Sequence, residues 1–426
     1  MKKVFLTTSA AFLLALFAHG QSPSHGLTPA QQQIAWSQSA IQAHPDKAQP
    51  YNDLAVAYIR RARETGDSNY LDQAEAALNE SARRAPGNFE GEKAHAMILL
   101  GRDRFAEALQ FSRALNQKTP DDTLTYGFIA DAATALGDYA EAERATQWML
   151  DLRQGNVPGL LRAARLRVVY GDTGGALDFY SLAYQEIPPT QTEDQAWTLT
   201  QMADIQLSTG HVSEAESLLR SALQKFPGYY LALEASARVE TARHHYAQAL
   251  DLLRQRDEAS VSLSSRYALA LTLERSGDST DAVGAYKDFE LKALRATKEP
   301  ANANRELVLY YLGRGNKPAE ALRISEQEVG KRHDVFTLDA YAWALCANGR
   351  YGEAKKQIDS VIALGIRDAA IFYHAGAIAE KLNDHADAVR YLNQSLELNP
   401  ESEAAEEAHD ALTKAIAASA IASNKR

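Results

Sequence analysis

The chain has 426 residues, of which 46% are hydrophobic, and a formal net charge of −10. This composition is ample for a folded core, and the acidic balance disfavours nucleic acid and anionic membranes as partners. The only cysteine, Cys346, excludes an intramolecular disulfide. Because Cys346 lies in the apolar run 342–346, the sequence favours a buried packing role over an intermolecular link or a reactive thiol.

Residues 1–20 have the pattern of a cleaved signal peptide. Two lysines precede the apolar stretch Val4 to Phe17, and Ala18-His19-Gly20 supplies the small residues of a cleavage site. An apolar run of about 14 residues is too short to span a bilayer comfortably. We therefore expect an exported protein, periplasmic or secreted, from a bacterium with two membranes. Its mature chain should begin at Gln21, without membrane insertion after cleavage.

Residues 21–44 predict a linker followed by one helix. The segment Pro29 to Ala43 has a helical pattern, and Pro45 terminates it because proline cannot continue a helix. This single helix resembles the second half of one of the repeats that begin at residue 45.

Residues 45–400 are organised in repeats of about 34 residues. A small residue recurs at Ala74, Ala108, Ala142, Ala176, Ala215, Ala249, Ala282, Ala321, Ala354 and Ala388. A second series lies twelve residues ahead, at Ala96, Ala130, Ala164, Ala203, Ala237, Ala270, Ala342 and Gly376. Small side chains are needed where two helices cross with their axes about 8–10 Å apart. Each repeat therefore predicts two closely packed helices.

The turns between the two small positions carry helix-ending residues. Gly137-Asp138 and Gly349-Arg350 are examples, since glycine tolerates the left-handed conformation that ends a helix and aspartate can cap the next one. Prolines such as Pro120 and Pro400 close several repeats. Each repeat is predicted to be a helix, a short turn and a second helix.

This pattern of small residues, aromatic residues and prolines resembles the tetratricopeptide repeat family. The segments 126–149, 338–361 and 372–400 match it most closely, and the resemblance covers residues 45–400. It implies an all-α fold, a right-handed α-solenoid of about ten helix-turn-helix units. Such arrays cover their ends with more polar helices, and residues 401–426 are expected to form a capping helix from Glu401 to Ala418 and a frayed tail.

Insertions interrupt the regular period. The first unit has about seven extra residues around 63–69, which are expected to form a longer hairpin loop. Five further residues are placed in each of the stretches 188–192 and 298–302. In the eighth unit Leu309 stands where alanine is expected, which leaves the register open by one residue.

No catalytic, cofactor or metal site is predicted. His244-His245 falls at a turn, where a solvated pair is favoured over a metal site. The stretch 171–175 lacks the lysine and the preceding strand of a phosphate-binding loop, and Asp121-Asp122 predicts helix capping rather than acid–base catalysis. The repeats, caps and signal leave no room for a separate catalytic domain, so we expect that the protein is not an enzyme.

The resemblance also implies that the first helix of each unit lines a concave groove, into which the residue after its small position points. Asp131, Arg165, Asp204 and Arg238 hold this position in successive units and alternate in charge. They either pair across adjacent helices, which is favoured, or select a charged ligand. The paired asparagines and lysines with which some family members bind a terminal carboxylate are missing.

Toward the C-terminal end the same face becomes aromatic. The candidate partner-binding residues are Tyr267, Leu271, Tyr310, Trp343 and Tyr373. Aromatic side chains dominate binding hot spots, although each of these residues could instead pack between repeats. The sequence predicts a scaffold that binds a peptide or protein segment in its groove. The alternative is a structural subunit or assembly adaptor of an envelope or secretion complex that uses its outer face.

Overall fold

A computed structural model of the chain describes residues 26–259, 262–402 and 404–423. These residues form helices and turns, without a strand among them, and this confirms the all-α repeat fold. The predicted signal, residues 1–20, lies outside the described residues. Within the described part of the chain, no helix is long and apolar enough to cross a membrane.

The helices are α1 (Pro29–Ala43), α2 (Gln49–Thr65), α3 (Asn69–Arg84), α4 (Phe89–Gly101), α5 (Phe105–Lys118), α6 (Thr123–Leu136), α7 (Tyr139–Leu152), α8 (Val157–Val169), α9 (Thr173–Glu186), α10 (Thr192–Ser208), α11 (Val212–Lys225), α12 (Tyr230–Ala242), α13 (Tyr246–Ala259), α14 (Leu263–Arg275), α15 (Ser279–Ala296), α16 (Asn304–Gly313), α17 (Pro318–Val329), α18 (Val335–Ala347), α19 (Tyr351–Ile362), α20 (Ala369–Lys381), α21 (His385–Leu398) and α22 (Ala405–Ser423). Helices α2 to α21 form successive hairpins, which we number as units 1 to 10.

The first helices of the units form an inner layer. Helix α2 packs on α4, α4 on α6, α16 on α18 and α18 on α20. The second helices of successive units are not in comparable contact within the described part of the chain. A stack whose first helices lie closer together than its second helices curves with the first helices on the inside. We call α2, α4 and the other first helices the inner helices.

The small residues lie where helices cross, as predicted. All ten members of the first series are at most 3% exposed. In unit 10 a Cβ atom added to Gly376 would lie only 2.6 Å from Leu392 Cγ, so the two helices of this unit approach each other at a glycine. Close approach of this kind excludes larger side chains.

Aspartates begin several helices by capping them. Asp122 Oδ1 accepts a hydrogen bond of 2.9 Å from the Thr125 backbone N–H at the start of α6, which confirms the capping prediction. Asp172 Oδ1 likewise accepts one of 2.9 Å from Gly175 N–H at the start of α9. The glycine-rich stretch 171–175 is therefore the turn of unit 4 and the start of its second helix.

The extra residues of unit 1 lengthen helices, so the expectation of a longer loop was wrong. Helix α2 continues ten residues beyond Ala55, whereas α4 continues five beyond Ala96, and only residues 66–68 separate α2 from α3. The residues inserted around 188–192 form partly a loop and partly an added turn at the start of α10. The insertion predicted at 298–302 lies in the loop before α16.

The added turns of α2 and α10 meet and are joined by ion pairs. Arg63 Nη2 lies 2.9 Å from Glu193 Oε2 and 2.8 Å from Asp194 Oδ1. The Tyr229 hydroxyl donates a 3.1 Å hydrogen bond to Glu193, which is fully buried. Burial raises the pKa of Glu193 although Arg63 opposes this shift. We call Arg63, Glu193 and Asp194 the charge cluster.

The last helix differs from the prediction at both ends. Helix α22 begins at Ala405 because residues 399–402 form a turn, in which Ser402 N–H donates to Asn399 O at 3.1 Å. It continues to Ser423 instead of fraying after Ala418, in keeping with its alanine-rich sequence. Buried Ala408 and Ala415 pack with residues of α20 and α21.

Candidate partner-binding groove

The charged residues of the inner helices pair with one another. Arg165 Nη1 of unit 4 lies 3.5 Å from Asp131 Oδ1 of unit 3. In the next two units, Arg238 of unit 6 forms an equivalent ion pair with Asp204 of unit 5. Arg162 adds a second contact to Asp131. The structural interpretation of the alternating charges is therefore confirmed, and these residues offer a ligand little unbalanced charge.

The inner helices of units 1 and 2 lack a carboxylate-binding arrangement. Asn52 Nδ2 donates to Asn88 Oδ1 at 2.7 Å, and the Asn52 side chain is buried. Lys93 Nζ lies 3.1 Å from Asp122 Oδ2 and 3.0 Å from Glu90 Oε1. Both polar groups are therefore engaged within the array.

Tyr267 and Tyr310 flank the inward face of α15. The Tyr267 ring centroid lies 5.3 Å from that of Phe289, and the Tyr310 ring stacks on Tyr286 at 5.1 Å. Phe289 is fully buried and Tyr286 nearly so, whereas Tyr267 and Tyr310 are half-buried. The Tyr286 hydroxyl donates a 3.0 Å hydrogen bond to Glu274, and burial raises the pKa of Tyr286. We call these four rings the tyrosine cluster.

The buried small-residue position of unit 8 falls before Leu309. Leu307 and Val308 are fully buried, at 0% and 1% exposed, whereas Leu309 is half-buried. The register that the sequence left open therefore lies N-terminal to Leu309. Tyr310 packs toward α15 of the preceding unit, against Tyr286 and Phe289.

Trp343 and Tyr373 lie together on neighbouring inner helices, α18 and α20. Their ring centroids are 5.8 Å apart, and Trp343 also stacks on His374 at 4.5 Å with an interplanar angle of 17°. All three aromatic rings belong to adjacent turns of two packed helices. Trp343 and Tyr373 are half-buried, and burial raises the pKa of Tyr373. We call Trp343, Tyr373 and His374 the tryptophan cluster.

A buried polar pair supports the tryptophan cluster and was not foreseen from the sequence. His374 Nδ1 lies 2.7 Å from Asp339 Oδ1, with His374 7% and Asp339 1% exposed. The pair fixes the orientation of the imidazole that stacks on Trp343. Its only sequence signal is a polar residue in each of two largely apolar helices, 35 residues apart.

The five predicted site residues thus fall into two pairs and one single residue. Tyr267 and Tyr310 share the tyrosine cluster, and Trp343 and Tyr373 share the tryptophan cluster. Leu271 is half-buried on α14 and belongs to neither ring cluster. Helices α16, α18 and α20 pack side by side, so the two clusters lie along the same stretch of inner helices.

Cys346 and the histidine pair 244–245 have surroundings typical of structural residues. Cys346 is 5% exposed, and burial raises the pKa of its thiol to about 11, in keeping with the packing role. His244 and His245 lie exposed at a turn, with Nδ1 atoms 2.8 Å from the Tyr246 hydroxyl and from Glu240 Oε2 respectively. The described residues contain no group of three side chains suited to a metal ion.

Comparison with known proteins identifies the repeat. Residues 369–402 match the profile of the tetratricopeptide repeat. The solved structure of the human IFIT1 dimer with PPP-AAAA is similar to this chain, with a TM-score of 0.50 and 13% identity. That similarity covers 86% of this chain and 87% of the IFIT1 chain. At this identity the similarity concerns the fold alone.

Two further solved structures are similar over most of the chain. The APC/C hetero-tetramer Cut9–Hcn1 has a TM-score of 0.46 and 13% identity over 90% of this chain, which spans only 58% of its counterpart. The yeast Tom70 structure has a TM-score of 0.42 and 14% identity, covering 91% of both chains. Comparison with curated proteins finds no match.

Proposed function

Because residues 369–402 match the tetratricopeptide repeat and the described chain is built of successive helical hairpins, we propose that this protein is an exported, non-catalytic scaffold that binds a peptide or protein segment on its inner helices. The repeat fold is that of protein interaction scaffolds, which are generally non-catalytic. Arrays of this kind present an extended curved surface to their partners.

The tryptophan cluster carries the proposal. Trp343 and Tyr373 place two large, half-buried rings 5.8 Å apart on adjacent inner helices. Rings held in this way lose little conformational freedom on binding and contribute a large contact area. The buried contact between His374 and Asp339 fixes the third ring of the cluster. A preorganised aromatic surface suits apolar side chains of an extended segment.

The charge distribution supports a protein partner over nucleic acid. The chain has a net charge of −10, and Arg165 and Arg238 of the inner helices are paired with aspartates. Binding of a nucleic acid backbone depends on lysines and arginines that are available to phosphates. The likeness to the IFIT1 fold does not transfer its ligand to this chain.

Export rests on the sequence pattern of residues 1–20. Intact-mass measurement of the protein from the cell envelope tests this part of the proposal. A mature chain that begins at Gln21 supports export with cleavage, and retention of residues 1–20 contradicts it.

An outer-face role as a structural subunit is the second candidate, because large apolar residues are exposed on the second helices. Trp148 of α7 is 54% exposed and Leu182 of α9 is 49% exposed. These two residues occupy equivalent positions, six residues after Ala142 and Ala176. They therefore lie on the same side of the second helices of neighbouring units, and the Trp148 ring also stacks on Tyr126 of α6 at 6.0 Å.

Site-specific photo-crosslinking in cells separates the two candidates. A photoreactive phenylalanine analogue replaces Tyr373 on the inner helices or, as the matched control, Trp148 on the outer face. Crosslinks to a protein partner from position 373, without the same adduct from position 148, support groove binding. Adducts from position 148 alone would shift the function to the outer face.

A further inference from the structure

Units far apart in the chain touch along a line that we call the seam. The turns 136–139, 170–172 and 207–211 of units 3, 4 and 5 face the loops 333–335, 364–367 and 398–401. These loops precede unit 9, precede unit 10 and follow unit 10. Each contact therefore joins parts of the array six units apart.

Two turn glycines bring backbone against backbone at the seam. A Cβ atom added to Gly137 would lie 2.3 Å from His333 O, and one added to Gly171 would lie 1.9 Å from Gly365 O. Both distances are far below van der Waals contact, so no side chain fits between the two parts of the array. At Gly277 and Gly349, which hold the same position in units 7 and 9, an added Cβ meets open space.

Hydrogen bonds and apolar packing complete the first contact. His333 N–H donates to Leu136 O at 3.0 Å, and Val335 N–H donates to the Tyr139 hydroxyl at 3.0 Å. Val335 and Tyr139 are 1% and 7% exposed and lie in one continuous apolar core, to which Ile366 of the second contact also belongs. Burial raises the pKa of Tyr139 to about 12. The first contact therefore excludes water like an interior packing surface.

The third contact is separated from the second by open space. Asn399 Nδ2 donates to Leu207 O at 3.1 Å. A cavity of about 450 Å³ lies beside it, lined among others by Leu177, Gln206, Arg367 and Glu397. The seam thus consists of discrete contacts with a gap between them, rather than one continuous interface.

We propose that the seam is a built closure, which holds units 3 to 10 as a closed superhelical turn and limits access to the inner helices. Closure follows from the glycine contacts, the shared apolar core and the three hydrogen bonds. The limit on access rests on the proposed function, because it concerns a partner of the inner helices. A partner that binds better when the seam is open would shift the array toward the open form.

Matched glycine substitutions test closure without any partner. Gly171 and Gly349 have φ of 74° and 75°, and Gly137 and Gly277 have φ of 83° and 85°. Alanine therefore meets the same backbone strain within each pair, and only the seam member meets a clash. Small-angle X-ray scattering measures the radius of gyration, and hydrogen exchange measures protection of the His333 and Val335 amides.

We expect Gly137→Ala and Gly171→Ala to enlarge the radius of gyration and to accelerate exchange at His333 at least tenfold. Gly277→Ala and Gly349→Ala should retain the compact size and the protection. Circular dichroism verifies that all four variants stay helical. If a seam variant unfolds, Tyr139→Phe replaces it, and faster exchange at Val335 is then expected. Equal behaviour within both pairs, or an extended wild-type protein, would overturn the closure.

A second measurement tests access. A peptide selected by display on the wild-type protein, and bound at the tryptophan cluster, should associate at least tenfold faster with the Gly171→Ala variant than with Gly349→Ala. Equal association rates would overturn the limit on access while leaving closure intact. If no peptide binds the inner helices, the proposed function fails, whereas the scattering result still decides closure.

Discussion

Replacing Gly376 with alanine measures how closely the two helices of unit 10 approach. The added methyl group would lie 2.6 Å from Leu392 Cγ and 3.2 Å from the Ala388 carbonyl oxygen. Leu392 is fully buried and has little room to move. Overpacking of this kind costs about 1–3 kcal/mol, whereas alanine in a helix interior normally gains about 0.5–1 kcal/mol over glycine. The difference is a net destabilisation of about 1 kcal/mol, up to about 2.5 kcal/mol.

Gly284→Ala is the matched control, because Gly284 lies inside α15 and an added Cβ meets nothing within 4 Å. This variant should be stabilised by about 0.5–1 kcal/mol. Repeat arrays can unfold in parts, so amide hydrogen exchange in α20 and α21, and separately in α15, is the appropriate assay. Stabilisation by both substitutions would refute the close crossing in unit 10.

Three other outcomes are expected. Burial raises the pKa of Asp103, near Arg332 and Glu328, to about 6. Because the folded protein holds this proton more tightly than the unfolded chain, stability falls as pH rises from about 4 to about 6. The free energy of unfolding of Asp103→Asn should therefore exceed that of the wild type by about 1–3 kcal/mol at pH 7 and by little at pH 4. Denaturant titration at both pH values measures this difference. Arg63→Met removes the ion-pair partner of the buried Glu193, which keeps its hydrogen bond from Tyr229, and should cost about 2–4 kcal/mol. The added change Glu193→Gln should recover part of this loss. Protein purified from the cell envelope should have the intact mass of a chain that begins at Gln21, as measured by mass spectrometry.

The repeat fold could be predicted because its requirements are local. Ala142 and the other small residues are dictated by the distance between two helices adjacent in sequence. Asp122 and Asp172 bind backbone groups only three residues away. Patterns of this kind recur in every unit, so that each one supports the others.

The charge cluster and the seam could not be predicted in the same way. Arg63 and Glu193 are 130 residues apart and meet only because both insertions are helical. Gly137 and Gly277 look alike in sequence, and only the curvature of the whole array brings one of them against His333. That curvature is a sum of small rotations between units, which a single sequence does not reveal.

The arrangement of the candidate residues could be predicted only in part. The pairing of Trp343 with Tyr373 follows from equivalent faces of adjacent inner helices. The register at Tyr310 could not be fixed, because Leu309 stands where the repeat pattern calls for alanine. The His374–Asp339 contact was missed because a polar residue in an apolar helix does not indicate its partner.

The affinity of a display-selected peptide for the Trp343→Ala variant tests the central claim most directly. Trp148→Ala removes an exposed tryptophan from the outer face and serves as the control. Binding on the inner helices predicts a loss of about 2 kcal/mol or more, roughly 30-fold in Kd, for Trp343→Ala. The control should bind like the wild type, and thermal melting shows whether both variants stay folded. A folded Trp343→Ala variant with unchanged affinity would contradict binding at the tryptophan cluster.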